Sequence, residues 1–221
     1  MNGPHANLVT ILAAAAAICG FAAPSLAAED CSGAVAAAFE KQRVGVGYRV
    51  VARQPAPEGE IVNTFEFVPP DKMHNKVDAP GQPAPLETIA IGRWAWANQG
   101  GGWQELQPQF AQSVTSDVAT TLGSPVKVAE QFICAGKATR DGKEYLAYQT
   151  PPRLASPDKP AGPANPMLAR TVLVDPATGL PSFNLVGEPE ASAKPLMTTA
   201  YSYPSDLKIE APDAVPASRT R

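Results

Sequence analysis

Two rhythms of apolar and polar residues divide this chain. From Gly45 onward the pattern is short period-two runs separated by Pro, Gly and Asp clusters, which predicts strands over residues 47–53, 60–68 and 72–78, joined by the turns at 55–59 and 69–71. A long strand is expected over 86–97, followed by the turn Asn98-Gln99-Gly100-Gly101-Gly102 and a short strand from Trp103 to Leu106. Strands resume around 134–139 and 144–150, with Asp141-Gly142 as the tight turn, then at 170–175, 180–188, 196–203 and 207–210. Two stretches step by four instead and predict helices. Asp30, a predicted N-cap, precedes Cys31, Val35 and Phe39, which share one face, and Phe110, Val114, Val118 and Leu122 form a second such stripe. Gly123 stops that second helix, and Ser124 with Pro125 predicts another short one running to Phe132.

These elements define a mostly β (α+β) domain of about eleven short antiparallel strands with two or three helices. A single sheet of that length must curl or close, and the amphipathic helices give its concave face something to bury against. The segment 151–166 carries six prolines and is expected to be a long, mobile loop, a candidate lid. Residues 212–221, rich in Pro, Ala and Ser, are expected to form a disordered tail.

The amino terminus follows a different logic. Residues 1–28 contain no Asp, Glu, Lys or Arg, the run from Leu8 to Ala23 is apolar, and Ser25 and Ala27 stand where signal peptidase reads small side chains. We therefore expect a signal peptide over 1–27 and a domain over 28–211, placed in the periplasm or secreted. The run is short for a membrane span of roughly 20 residues. Ile18 before Cys19 argues against a lipid-anchor signal, because such a signal needs a small residue there. All 18 Lys+Arg and 21 Asp+Glu lie beyond the leader, so the net charge of −3 is that of the exported chain. A mixed, weakly acidic surface has no footprint for nucleic acid, and no basic cluster marks an anionic membrane. No further transmembrane segment is expected, and the chain is read as a monomer.

Two cysteines remain after cleavage, Cys31 and Cys134. In an oxidising compartment they are expected to pair, with two buried free thiols as the alternative. A metal site is not expected, since His74 is the only histidine beyond the leader and zinc takes four ligands. No cofactor is implied, because Gly100-Gly101-Gly102 opens no phosphate-binding helix. Catalysis has no support either: there is no Gly-x-Ser-x-Gly elbow to partner His74, and a cysteine nucleophile would cost the bridge. His74 reads as a surface residue of the third strand. The aromatic residues are more suggestive. Phe65 and Phe67 share one side of the second strand, and Trp94 and Trp96 one side of the long fourth strand, with Trp103 brought close by the hairpin. Together with Met73 they form the candidate ligand-binding set. For any single one of them, ordinary packing under the helices is the competing reading.

The segments Phe67-Val68-Pro69-Pro70-Asp71-Lys72-Met73, Glu87-Thr88-Ile89-Ala90-Ile91-Gly92 with Trp94, Gly100-Gly101-Gly102-Trp103 and Val172-Leu173-Val174-Asp175-Pro176-Ala177-Thr178-Gly179-Leu180-Pro181 resemble exported proteins of the lipoprotein-carrier (LolA-like) superfamily in order and spacing. The resemblance implies a strongly curved antiparallel half-barrel covered by helices, its apolar cavity holding acyl chains or other hydrophobic ligands. No site residue transfers by motif, and the resemblance does not extend to lipoprotein transport itself. Two functions follow as expectations. One is a non-catalytic binding protein or carrier for a lipid or other hydrophobic ligand. The other is an envelope interaction or sensor module whose sheet docks a protein partner.

Overall fold

The computed structural model describes residues 29–160, 162, 164–189 and 194–217. The leader expected over 1–27 lies outside the described residues. Helix α1 (Ser32–Arg43) is followed by β1 (Tyr48–Ala56), β2 (Gly59–Val68), β3 (Lys72–Asp78), β4 (Leu86–Ile91), β5 (Trp94–Asn98) and β6 (Trp103–Glu105). After α2 (Pro108–Gly123) come β7 (Ile133–Arg140), β8 (Lys143–Gln149), β9 (Arg153–Leu154), β10 (Met167–Val174), β11 (Pro181–Gly187) and β12 (Met197–Ser202). All strands belong to one curved, unclosed antiparallel sheet in the order β6-β5-β4-β3-β2-β1-β12-β11-β10-β8-β7, with β9 attached to β10. The mostly β, half-barrel architecture is therefore present, with twelve strands and two α-helices among the described residues.

The sheet consists of two meanders joined where β1 pairs with β12. Across the first, one row of cross-strand neighbours runs Tyr48, Phe67, Met73, Ala90, Ala95. This concave row packs against Ala111, Val118 and Leu122 of α2. Ala90 and Ala95 have no exposed surface, and their small side chains let the helix lie close to the sheet. The next row, Arg49, Glu66, His74, Ile89, Trp96, Glu105, points to the convex side, as strand alternation requires. Under the second meander's concave face, Val172 and Val174 pack with Val35 and Ala38 of α1 and with Phe132.

Helix α1 lies far in sequence from the strands it covers, and covalent and polar ties hold it there. Cys31 and Cys134 form a disulfide with Cα atoms 5.4 Å apart, closing a separation of 103 residues. The chain-entropy treatment gives such a loop roughly 4–5 kcal/mol of stabilisation. Cys31 is the N-cap residue, in place of the expected Asp30. The Asp30 carboxylate nevertheless accepts bonds from the Ser32 N–H at 3.0 Å and the Ser32 hydroxyl at 2.7 Å, which hold its pKa below the usual range. Lys41 Nζ donates to the Thr178 carbonyl at 2.7 Å, fixing the other end of the helix to the β10–β11 turn.

Several expectations are corrected. The strand expected over 86–97 is two strands, β4 and β5, folded back at a two-residue turn, Gly92-Arg93. Gly92 sits at φ 60°, a conformation that a side chain would strain. The helix expected between Ser124 and Phe132 is an irregular, extended strap. Its backbone finds partners outside itself: the Val126 N–H donates to Glu40, the Phe132 N–H to the Ser32 hydroxyl, and the Phe132 carbonyl accepts from the Cys31 N–H. Residues 207–210 form no strand, although Ile209 is buried. The expected disorder after Ala211 does not apply to Val215, which bonds β6 through both its N–H and its carbonyl. Within 151–166, buried Asn165 gathers the loop: its amide donates to the carbonyls of Ser156, Lys159 and Pro160, and its carbonyl accepts the Ser156 N–H.

Candidate functional site

Among the spaces left between the sheet and its helices are two that share a wall residue. The larger, about 600 Å³, lies between the C-terminal half of α1, the 124–132 strap, the end of α2 and Tyr48 of β1. Its floor is buried Val35, Tyr48, Gln42 and Phe132; its rim carries exposed Thr121, Lys127 and Ala129. The smaller, about 250 Å³, lies between α2 and the first meander, with Phe65, Phe67, Met73 and Val118 in its wall. Thr121 lines both.

The strap is the cover of the larger space, and ionic and polar contacts fasten it. Glu40 on α1 accepts from the Val126 N–H at 3.1 Å and pairs with Arg43, whose Nη1 donates to the Leu122 carbonyl at 2.7 Å. One carboxylate thus ties α1 to the strap, and its Arg43 partner ties α1 to α2. The bond from Arg43, and after it the Val126 N–H, hold the pKa of the Glu40 carboxyl at about 2. Farther along, Glu130 accepts from Arg170 at 2.6 Å and from Arg153 at 2.7 Å, joining the strap to β10 and β9. None of the described residues of 151–166 lines the larger space, whose cover is formed by α1 and by a segment whose sequence predicts a helix.

Two polar residues are among those that line this chamber, Gln42 and Tyr48. Gln42 is 6 % exposed and its Oε1 has no hydrogen-bond partner. An unmade bond of this kind costs about 1–3 kcal/mol in a buried setting. Burial pushes the pKa of the Tyr48 phenol, already neutral at pH 7, further up to about 12. Gln42 carries no signal that sequence pattern could pick out. It becomes visible only once α1 has a buried face.

The structure divides the aromatic set expected to bind ligand. Phe65, Phe67 and Met73 come together on the concave wall, with the Phe65 and Phe67 rings stacked at 5.9 Å. Trp94, Trp96 and Trp103 stand on the convex face, because the Gly92-Arg93 turn pairs Ile91 with Trp94 and Ile89 with Trp96. The expectation that the tryptophans share a wall with the phenylalanines is corrected accordingly. On that convex face Trp94 is 39 % exposed beneath the Arg93 guanidinium, and Trp103 lies 6.3 Å from the His74 ring. His74 is half-buried there, with Nε2 2.9 Å from Glu87 and Nδ1 3.5 Å from Glu66. Cys31 and Cys134, which lie beside Glu29, are bonded to each other. No described helix is long and apolar enough to cross a membrane.

No family model and no curated protein sequence matches the chain. Among solved structures, an uncharacterized conserved protein from Thermus thermophilus is similar at 10 % identity and a TM-score of 0.43, over 84 % of this chain and 99 % of the other. MucB in complex with MucA(peri) is similar at 14 % identity and a TM-score of 0.35, over 80 % of this chain and 58 % of the other. The LolA superfamily protein NE2245 from Nitrosomonas europaea is similar at 11 % identity and a TM-score of 0.31, over 80 % of this chain and 93 % of the other. Likeness at this level assigns no ligand or partner to this chain.

Proposed function

We propose that the protein is an exported, non-catalytic binder or carrier of a lipid or other hydrophobic ligand, held between the concave face of its sheet and its helices. The observation that supports this reading best is the space of about 600 Å³ with a buried floor of Val35, Tyr48 and Phe132. Its size falls in the range of small-molecule sites, roughly 300–1,000 Å³. The smaller cleft at Phe65, Phe67 and Met73 shares Thr121 with it. Val35, Phe39, Val126, Val128 and Phe132 are the residues we assign to the ligand's apolar body, with Phe65, Phe67 and Met73 at its far end. Export is supported by the apolar leader ending at Ser25 and Ala27, and by the Cys31–Cys134 bridge, a bond typical of oxidising compartments.

A second reading, a module docking another envelope protein, draws on the convex tryptophans, of which Trp94 is the most exposed. Native mass spectrometry of protein purified from its own compartment, followed by organic extraction, tests the first reading. A lipid that co-purifies with the wild type and is displaced in Val128→Phe, but retained in Trp94→Ala, is the expected result. Protein that is empty in every preparation and takes up no fluorescent acyl probe overturns the ligand reading.

A further inference from the structure

The three buried residues of α1 are Val35, Ala38 and Gln42, spaced as one helix face. An apolar side chain is the ordinary occupant of the third position, yet the chain places a carboxamide there, 6 % exposed and with Oε1 unpartnered. Gln42 lines the 600 Å³ space together with Tyr48 and the apolar floor. The neighbouring acids are already engaged: Glu40 by Arg43 and the Val126 N–H, Glu130 by Arg153 and Arg170. Lys127, the remaining cation lining the space, stands exposed at its rim. The floor of the chamber therefore offers neutral hydrogen bonding. The terminal torsion of a glutamine is broad and roughly two-fold, so either end of the amide can turn toward an occupant.

We propose that Gln42 receives the polar group of an amphiphile, namely a neutral hydrogen-bond donor, a hydroxyl or an amide N–H, carried on an otherwise apolar molecule. The inference rests on the reading of this space as a ligand site and adds the chemistry of the head group. Tyr48, neutral at physiological pH like any phenol, is a second uncharged side chain lining the same space. A charged head group would have to lose its water beside ion pairs that are already closed, so it is disfavoured on the floor.

Competitive displacement of a fluorescent acyl probe by myristyl alcohol and by its methyl ether, which keeps the chain but has no donor, tests the assignment. Wild-type protein is expected to bind the alcohol roughly five- to tenfold more tightly than the ether. Gln42→Met is expected to remove that preference while keeping the affinity for the ether. The Gln42 side-chain amide resonances of the wild type, followed by NMR, should move with the alcohol and stay in place with the ether, a readout that does not depend on the variant folding. Equal affinity for the two probes with unmoved amide resonances overturns the role of Gln42 and leaves the apolar site intact. Failure of both probes to bind overturns the site itself.

Discussion

The two halves of the sheet are covered by helices in opposite ways. Over the first meander, α2 presents Ala111, Val118 and Leu122 to the fully buried Ala90 and Ala95, and apolar fit divides the remaining space into separate clefts of about 250 Å³ and 340 Å³. Over the second, the Ala-rich α1 contributes buried Val35 and Ala38, and one undivided space of about 600 Å³ is left at its end. What α1 lacks in packing is replaced by specific ties: the disulfide, Lys41 to Thr178, Glu40 to the strap and Arg43 to α2. A helix held by close packing must fill the space beneath it. One held at points around its rim can leave that space free, as α1 does.

Removing the disulfide should give the largest effect. The Cys31→Ser, Cys134→Ser double variant is expected to lose roughly 4 kcal/mol, or about 10–15 °C in Tm for a domain of this size. A thermal melt with and without reductant measures it. An unchanged Tm would mean that packing holds α1 as firmly as it holds α2, and the contrast would fail.

A matched pair of enlargements comes next. Ala90→Leu forces a side chain between α2 and the sheet and is expected to cost about 1–3 kcal/mol in denaturant unfolding. Val128→Phe grows into the larger space and is expected to cost less than about 1 kcal/mol while blocking ligand uptake. Equal penalties for the two would show that both spaces are similarly filled.

The smallest effect is local and set by pH. Because the folded-state pKa of Glu40 is lowered to about 2, its contribution is complete above the ordinary carboxylate value near 4.5 and is lost as the pH falls toward 2. Amide exchange at Val126 should therefore speed up over that window, beyond the intrinsic pH dependence of exchange. In Glu40→Gln the Val126 amide should exchange faster at neutral pH and show no added acid step. A wild-type Val126 amide without that acid step would remove Glu40 as the strap's fastening.

Much of this arrangement is legible in local pattern, and the failures have identifiable physical causes. The large apolar residues of 86–97 change phase at Gly92-Arg93, from Ile89 and Ile91 at odd positions to Trp94 and Trp96 at even ones, and reading the run as one strand passes over the position where the chain reverses. Because the turn has two residues, residues on either side of it that a continuous strand would send to opposite faces end on the same one, and the tryptophans move to the convex side. Ser124-Pro125 is a sound helix start, but Glu40 and Ser32 offer the strap's backbone partners that no local rule includes. The composition of 151–166 is that of a mobile loop, yet a single buried asparagine near its end, Asn165, gathers the backbone around its amide.

Local sequence was enough to set the β-rich character, most strand and turn positions, the stripes of α1 and α2 and the pairing of Cys31 with Cys134. Each of these follows from short-range periodicity, turn chemistry or the cysteine count. The face each aromatic residue occupies, the covering of the larger space by the strap, and the burial of Gln42 without a partner emerge only from the assembled fold. Those outcomes depend on contacts between segments far apart in the chain, where strand register and helix placement set the neighbours.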